Sequence, residues 1–415
     1  MTNEEYIQQH RNDDVRALAL KKVPEGVDAH WCLQQIEGWQ LARKKLPRWA
    51  ATEGVWFPPR LSMEQCSSEL TAAYKREVLE QWFSSHGIKA EEATFADLTG
   101  GFGIDFSYIA QLFGQSTYVE RQPHLCEIAR HNFTLLSPGS HVVEGDCTDV
   151  DIDRLAPTVL YLDPARRDDI GRKVAALEDC TPNVITLQDS LLEATRTVLL
   201  KLSPMLDITQ ALRQLKAVRQ VHVVSVRGEC KEVLLLMAAS AEEEPNLTYH
   251  CVNLETEDEK LTCHEAERQV APVLRTTPLT LEENKPAYLF EPNASVLKAG
   301  VQDTLCQRYG LEKLSATSNL FVGSKPIDRF PGRLFRIECI GDFSKSGLKQ
   351  VLAGLKQANL TIRNFPSTVA ELRKRLKVKE GGDTYLFATT LSDGKHTLIR
   401  GRKAEKPKKT NNPKI

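Results

Sequence analysis

The chain has 415 residues, of which 41% are hydrophobic and 26% charged, with a formal net charge of −1. That length implies two or three domains, and no apolar run approaches the roughly 20 residues that span a bilayer. The ten cysteines are scattered without a C-x-x-C pair or metal-type Cys/His spacing. The N-terminal stretch MTNEEYIQQH is polar and lacks a signal-peptide core. These features describe a cytoplasmic, reduced protein with neither a metal site nor a membrane partner. Charge is uneven: residues 341–415 hold 17 Lys/Arg against 6 Asp/Glu, leaving about −12 on the first 340. Such asymmetry points to nucleic acid as a partner for the basic end; a solvated tail on Lys-rich helices is the plain alternative.

Residues 1–88 read as a helical region. Leu18, Leu20, Val23, Ile36, Trp39 and Leu41 recur at helical spacing, and Trp31, Trp39, Trp49 and Trp56 suggest a small helical core. Pro58-Pro59 is a break. A helix then runs from Ser67 to about Ser84 with a serine cap. Arg60, Gln65 and Lys75 precede the first strand closely enough to reach a ligand there, but are read as surface residues.

The stretch Ala93–Asp105, A-T-F-A-D-L-T-G-G-F-G-I-D, is strand, tight turn and helix. Its glycines allow the backbone a sharp turn and a close approach to a ligand, which in open α/β sheets sits at the carboxyl ends of the strands. A dinucleotide G-x-G-x-x-G fingerprint counted from Gly101 and Gly103 would need glycine where Phe106 stands, which disfavours a dehydrogenase. A second strand, Ser116–Val119, ends in Glu120, 23 residues beyond Asp97, near the spacing of a ribose-binding acid. A helix over Leu125–Leu135 follows. The third strand, His141–Val143, leads to Glu144-Gly145-Asp146. The fourth, Thr158–Leu162, ends in Asp163-Pro164-Ala165-Arg166-Arg167. The loop through Arg172 and Lys173 is rich in cations and suits an anionic substrate.

Further along, the pattern gives a helix over Leu187–Thr197, a fifth strand over Val198–Leu202 and a helix over Asp207–Leu215. Val221–Val226 and Val233–Met237 form an antiparallel pair. Glu255–Lys260 is a charged loop or hairpin end, and the domain closes before about residue 275. Tyr288 opens a new unit, with one helix over Ala294–Tyr309 and strands at Leu320–Val322 and Leu334–Ile340. A helix over Ser346–Leu355, a strand over Thr361–Phe365, a basic helix over Val369–Leu376 and strands at Thr384–Thr389 and Thr397–Arg400 follow. This alternation suggests small α+β domains rather than a second large sheet. Residues 405–415 form a basic tail expected to be disordered.

The Asp97–Asp105 turn resembles motif I of the class I S-adenosylmethionine (SAM) methyltransferases, with Thr99 in place of the usual first glycine. Asp163-Pro164 resembles the start of their [DN]-P-P-[YF] motif, from which Ala165 and Arg166 depart. With the Tyr288–Gly300 stretch Y-L-F-E-P-N-A-S-V-L-K-A-G and the final R-G-R-K, the chain resembles a bacterial methyltransferase group with a ferredoxin-like unit and a THUMP-like C-terminal domain. The resemblance implies an α/β fold, with a Rossmann-like seven-stranded sheet, a helical N-terminal region and small α+β C-terminal domains. The expected boundaries are 1–88, 89–275 for the methyltransferase domain, 280–332 ferredoxin-like, 333–404 THUMP-like and 405–415. It implies SAM as cofactor, held by Asp97, Thr99, Gly101, Gly103, Asp105, Glu120 and Asp146, with Asp146 accepting from the adenine amino group. Asp163, Pro164 and Arg166 would be catalytic, Arg167, Arg172 and Lys173 would meet the substrate, and RNA would be the acceptor. Two alternatives stay open: methylation of a protein or small molecule, and an RNA-binding protein that holds SAM without turnover.

Overall fold

The computed structural model describes residues 1–165, 176–239, 247–255, 260–281 and 287–404. The chain divides into two compact units, Met1–Arg219 with Leu234–Pro245, and Gln220–Val233 with Asn246–Ile415.

The first unit opens with helices, among them Asn3–His10, Ala29–Lys45 and Glu69–Ser85. Local chemistry sets their starts. Thr2 and Glu5 form a capping box, Asp28 accepts from the Trp31 N–H, and Ser68 caps the third helix with Thr71, so donors left over at each helix start are satisfied. The helical region does not keep its core to itself. Trp49, Phe57 and Met63 pack in one cluster with Phe102, Ile104 and Ile128, and Trp49 meets Phe102 edge-on at 4.8 Å. The glycine-rich turn is therefore propped from behind by tryptophan. Separately, Tyr6, Leu18, Cys32 and Ile36 form a small cluster of their own.

Strands β1 (Thr94–Asp97), β2 (Gln115–Glu120), β3 (His141–Glu144), β4 (Val159–Leu162) and β5 (Thr197–Leu202) pair in parallel in the order β3-β2-β1-β4-β5. Val159, Leu160, Tyr161 and Leu162 are all buried, as expected of a central parallel strand covered on both faces. The order continues through β7 (Glu229–Met237), β6 (Val218–Val226), β8 (Thr248–Asn253) and β9 (Lys260–His264). A two-residue turn, Arg227-Gly228, joins β6 to β7 with both φ angles positive, at 54° and 76°, the geometry a tight hairpin prefers. The seven-stranded sheet inferred from sequence is thus present and extended to nine strands among the described residues. β8 and β9 pair antiparallel on either side of the charged Glu255–Lys260 stretch, strands that the sequence reading did not assign. The helix expected over Leu187–Thr197 runs instead over Val184–Ala194, with Asn183 as its cap, and Thr197 already belongs to β5.

The second unit is α+β, as expected, but its strands join in a second large sheet, which the sequence alternation argues against. β10 (Tyr288–Pro292), β11 (Glu312–Ser315), β12 (Ser318–Gly323), β13 (Gly332–Asp342), β14 (Asn359–Arg363), β15 (Thr384–Thr390) and β16 (His396–Lys403) form one sheet in the order β11-β12-β10-β13-β16-β15-β14. One face buries Leu289, Phe335, Ile337, Phe387 and Ile399. The other packs Leu386, Ala388 and Leu398 against Val351, Leu372 and Leu376, which come from the helices Lys345–Val351 and Val369–Leu376. The long helix expected over Ala294–Tyr309 is two short ones, split by Gly300 at φ 71°. Glu291, 3% exposed, accepts from both Arg333 and Arg363.

Gly332 starts β13 where backbones crowd: a Cβ there would stand 2.1 Å from the Glu291 carbonyl oxygen. Gly332→Ala is expected to cost about 1–3 kcal/mol through overpacking, read as a lower urea midpoint at unchanged slope.

Candidate active site

Because β1 to β5 are parallel, their carboxyl ends share one edge of the sheet, and the acids singled out from sequence gather there. Asp97 ends β1, Glu120 ends β2, and Asp163 follows β4 directly. Asp146 follows β3 by two residues.

The turn between β1 and the helix Ile104–Ile109 is fixed by these acids. Asp97 is 1% exposed, and its Oδ1 accepts from the Thr99 N–H at 2.9 Å. Thr99 Oγ1 in turn accepts from the Asp163 N–H at 2.7 Å, tying β1 to β4. Glu120 Oε2 accepts from the Gly101 N–H at 2.8 Å, and its Oε1 accepts from the Gln122 N–H at 2.9 Å. The Tyr118 hydroxyl donates to the Gly101 carbonyl. Glycine is needed in this turn for two reasons. Gly101 and Gly103 have φ of 58° and 83°, a region where side chains are strained. A Cβ on Gly100 would sit 2.1 Å from the Tyr118 ring. Around Gly101 the nearest atom to such a Cβ is 3.8 Å away, so the turn is open on that side. Burial, aggravated by Asp105, Asp163 and Glu120, holds the Asp97 carboxyl well above its usual range.

Asp105 lies elsewhere in this arrangement. Its side chain points into the interior, where Oδ2 accepts from Ser67 Oγ and the Tyr161 hydroxyl, each at 2.7 Å. Oδ1 faces Lys75 Nζ at 3.1 Å, and Lys201 Nζ stands 3.8 Å from Oδ2. Burial alone would raise its pKa, but the two lysines and the two hydroxyl donors prevail and bring it to about 2. Lys201 also reaches Asp163 Oδ2 at 2.5 Å. The result is a chain of alternating charge, Lys75–Asp105–Lys201–Asp163, running from a fully buried lysine out to a carboxylate 38% exposed.

Asp146 is held by the Thr148 N–H at 3.0 Å and hydroxyl at 2.8 Å, which lower its pKa; Arg121 stands 3.9 Å away. Burial beside Asp146 pushes the Cys147 thiol up to about 12, so it stays protonated at neutral pH. Pro164 is buried, and the Ala165 N–H and carbonyl both bond to Thr181, at 2.7 and 3.0 Å. Arg166, Arg167, Arg172 and Lys173 lie outside the described residues. Among those, no group of three or more His, Cys, Asp or Glu could hold a metal ion.

Sequence reasoning missed Lys75, Lys201, Ser67 and Tyr161. Lys75 had been read as a surface residue and is 0% exposed. The signals were present: Lys75 falls on the apolar side of its helix with Ala72, Val78 and Leu79, and Lys201 interrupts the buried strand T-V-L-L-K-L. An isolated lysine in a buried strand implies a carboxylate partner.

The region described as a ferredoxin-like domain matches residues 288–331, and that described as THUMP domain-like matches 332–403. A crystal structure described as "putative methyltransferase from Porphyromonas gingivalis W83" is 35% identical, covers 97% of this chain and 98% of that chain, and has a TM-score of 0.83. The chain belongs to this class I methyltransferase family with ferredoxin-like and THUMP-like regions. Other likenesses are partial. An RNA methyltransferase from Salinibacter ruber in complex with S-adenosyl-L-homocysteine is 18% identical, covers 41% of this chain and 96% of that one, and has a TM-score of 0.28. A class I SAM-dependent methyltransferase, so described provisionally, from Listeria monocytogenes is 11% identical over 61% of this chain and 93% of that one, with a TM-score of 0.39. Neither carries an argument about this chain. No curated protein matches the sequence.

Removing one partner of the buried pair leaves an uncompensated charge, so Asp105→Asn and Lys75→Met are each expected to cost about 3–5 kcal/mol in urea unfolding. The double variant should cost clearly less than the sum. The Asp105 pKa is lower in the folded than in the unfolded state, so its contribution is fully present above about pH 4 and is lost as pH falls through about 2. The stability gap between wild type and Asp105→Asn should accordingly be flat near neutrality and narrow below about pH 4.

Proposed function

We propose that the protein is a SAM-dependent methyltransferase acting on RNA. The observation that carries the first half is the open glycine turn with Glu120, Asp146 and Asp163 around it, all at the carboxyl edge of the parallel sheet. These residues fit the cofactor. Gly101 leaves room for it, Glu120 offers lone pairs to the ribose hydroxyls, and Asp146 is a half-buried acceptor for the adenine amino group. The cofactor supplies an activated methyl on a sulfonium centre, so the protein's task is orientation and exclusion of water, worth several kcal/mol.

Asp163 orients the nucleophile. Lys201 holds its Oδ2, and its Oδ1 carries no bond among the described residues, leaving that oxygen to accept from the incoming group. The chain of charge behind it fixes the carboxylate in place, since Lys201 is itself anchored by Asp105. Arg166, with Arg167, Arg172 and Lys173, remains our proposed substrate contact, through the affinity of guanidinium for phosphate and for base faces. The RNA acceptor is supported by the basic C-terminal region and the THUMP domain-like match. We keep residues 89–275 as the catalytic domain, the 280–332 and 333–404 units beyond it, and a cytoplasmic setting.

Calorimetric titration with SAM tests the cofactor. Wild type should bind in the micromolar range, Glu120→Ala should lose at least about tenfold, the loss of one charge-assisted contact, and Asp163→Ala should retain binding. In single-turnover transfer of labelled methyl to total RNA, Asp163→Ala should be inactive. Unchanged binding by Glu120→Ala would remove Glu120 from the ribose site. Labelled protein or small molecule in place of RNA would overturn the acceptor.

A further inference from the structure

The R-G-R-K run, Arg400–Lys403, lies on β16, paired antiparallel with β13. The register sets Arg336 directly opposite Arg402, and on the other side of β13 it sets Tyr288 of β10 opposite Arg336. Side chains alternate faces along a strand. Phe335 and Ile337 enter the buried core, so Arg336 stands on the opposite face, where it is exposed. Tyr288, Arg336 and Arg402 thus form a row across three adjacent strands.

Like charges directly opposite on an antiparallel pair are destabilising, and this pair is poorly compensated from within. The nearby carboxylate is Glu338, and it is already shared: Oε1 takes Arg402 Nε at 2.9 Å and Oε2 takes Arg400 Nε at 3.2 Å. Arg400 is further committed, donating to the Val351 and Ala353 carbonyls at the end of a helix, at 3.4 and 3.0 Å. Arg336 has no carboxylate partner among the described residues. The backbone is shaped around this point. β13 bulges between Ile337 and Cys339, with Glu338 as the extra residue, and such bulges re-aim side chains next to functional surfaces. A Cβ on Gly401 would stand 2.8 Å from the Arg336 carbonyl oxygen, so the glycine between the two arginines of the run lets the strands close. A cleft of about 520 Å³ opens here, lined by Arg336, Ile337, Glu338, Cys339 and Arg400.

We propose that this face of the β13–β16 pair grips the phosphate backbone of RNA, with Arg336 and Arg402 as the phosphate contacts and Tyr288 beside them as a stacking surface for a base. The inference rests on the RNA reading above and gives it a location. Arginine suits the task because its planar fork binds phosphate bidentately, and an aromatic next to a cation is the pairing that single-stranded or looped RNA uses. Glu338 holds Arg402 and Arg400 in place and reduces the net charge of the cluster, tempering affinity.

The test is fluorescence anisotropy of the full chain with labelled, unfractionated bacterial tRNA over a series of salt concentrations. Arg336→Ala/Arg402→Ala is expected to weaken binding about tenfold or more and to flatten the slope of log K against log salt by roughly 1 per contact removed. Lys395→Ala removes one exposed charge at a turn of the same unit and should leave both unchanged. Glu338→Gln keeps the side chain's shape, removes the counter-charge and should tighten binding severalfold, so the test remains decisive if the double variant does not fold. If wild type binds and neither variant moves affinity or slope, this face is not the contact. If duplex DNA competes as well as RNA, the surface is a general polyanion site and the RNA assignment fails. If wild type does not bind tRNA even at low salt, the RNA reading itself falls, while SAM binding in the calorimeter would still stand.

Discussion

Four charged groups lie in line behind the glycine turn, and the edge of the sheet that carries the site depends on their compensation. Lys75 is fully buried and could not remain there as a cation alone, because desolvating an unpaired charge costs many kcal/mol. Asp105 answers it from the helix after the turn, Lys201 from β5 answers Asp105, and Asp163 after β4 answers Lys201. Each ion needs the next, so helix 69–85, the turn helix, β4 and β5 are held in one arrangement. Buried ion pairs of this kind contribute little net stability compared with apolar packing. Their effect is geometric: the exposed end of the chain of charge is a carboxylate with a fixed position.

The turn itself is shaped by a division of labour between acids and aromatics. Asp97 and Glu120 take the backbone N–H groups of Thr99 and Gly101, which would otherwise be left without partners at a bend that cannot continue into sheet or helix. Tyr118 and Phe133 crowd the glycines so closely that no Cβ fits at Gly100 or Gly103. Phe102 is pressed against Trp49. A ligand would therefore meet a surface that is already organised, the condition under which binding contacts are not spent on ordering the loop. The N-terminal helices take part in this, since their tryptophan-rich core is the same core that backs the turn.

The second unit shows a different use of charge. Glu291 is buried and draws Arg333 and Arg363 together from two strands, tying β13 to β14. Arg336, three residues beyond Arg333 on β13, is opposed to Arg402 across a strand pair, where the glutamate Glu338 is shared between Arg400 and Arg402. Counting these groups alone, the first cluster keeps one net positive charge and the second keeps two. Residues 288–331 and 332–403 match two family descriptions, yet their strands interleave in one sheet, with β10 lying between β12 and β13. The family boundary falls at the start of β13 and does not separate two cores.

Much of the architecture was legible in the sequence because it is encoded locally. Apolar runs ending in Asp97, Glu120 and Asp163 located β1, β2 and β4 to within a residue or two, and the glycine turn and the resemblance built on it located the site. The nine-stranded extent of the first sheet was not legible. β9 reads K-L-T-C-H, a short and mostly polar edge strand whose conformation comes from its pairing with β8 rather than from its own composition. Lys75 was misjudged for a related reason: a lysine on a helix is ordinarily solvated, and only a carboxylate 30 residues away makes its burial tolerable. The sequence by itself determined which segments become parallel strands and which acids stand at their carboxyl ends, since periodicity and turn chemistry are short-range. The tertiary structure alone decided which charges meet, that Asp105 turns inward to Lys75 and Lys201 and that Arg336 faces Arg402, because opposition across strands and helices is fixed by packing and register between residues far apart in the chain.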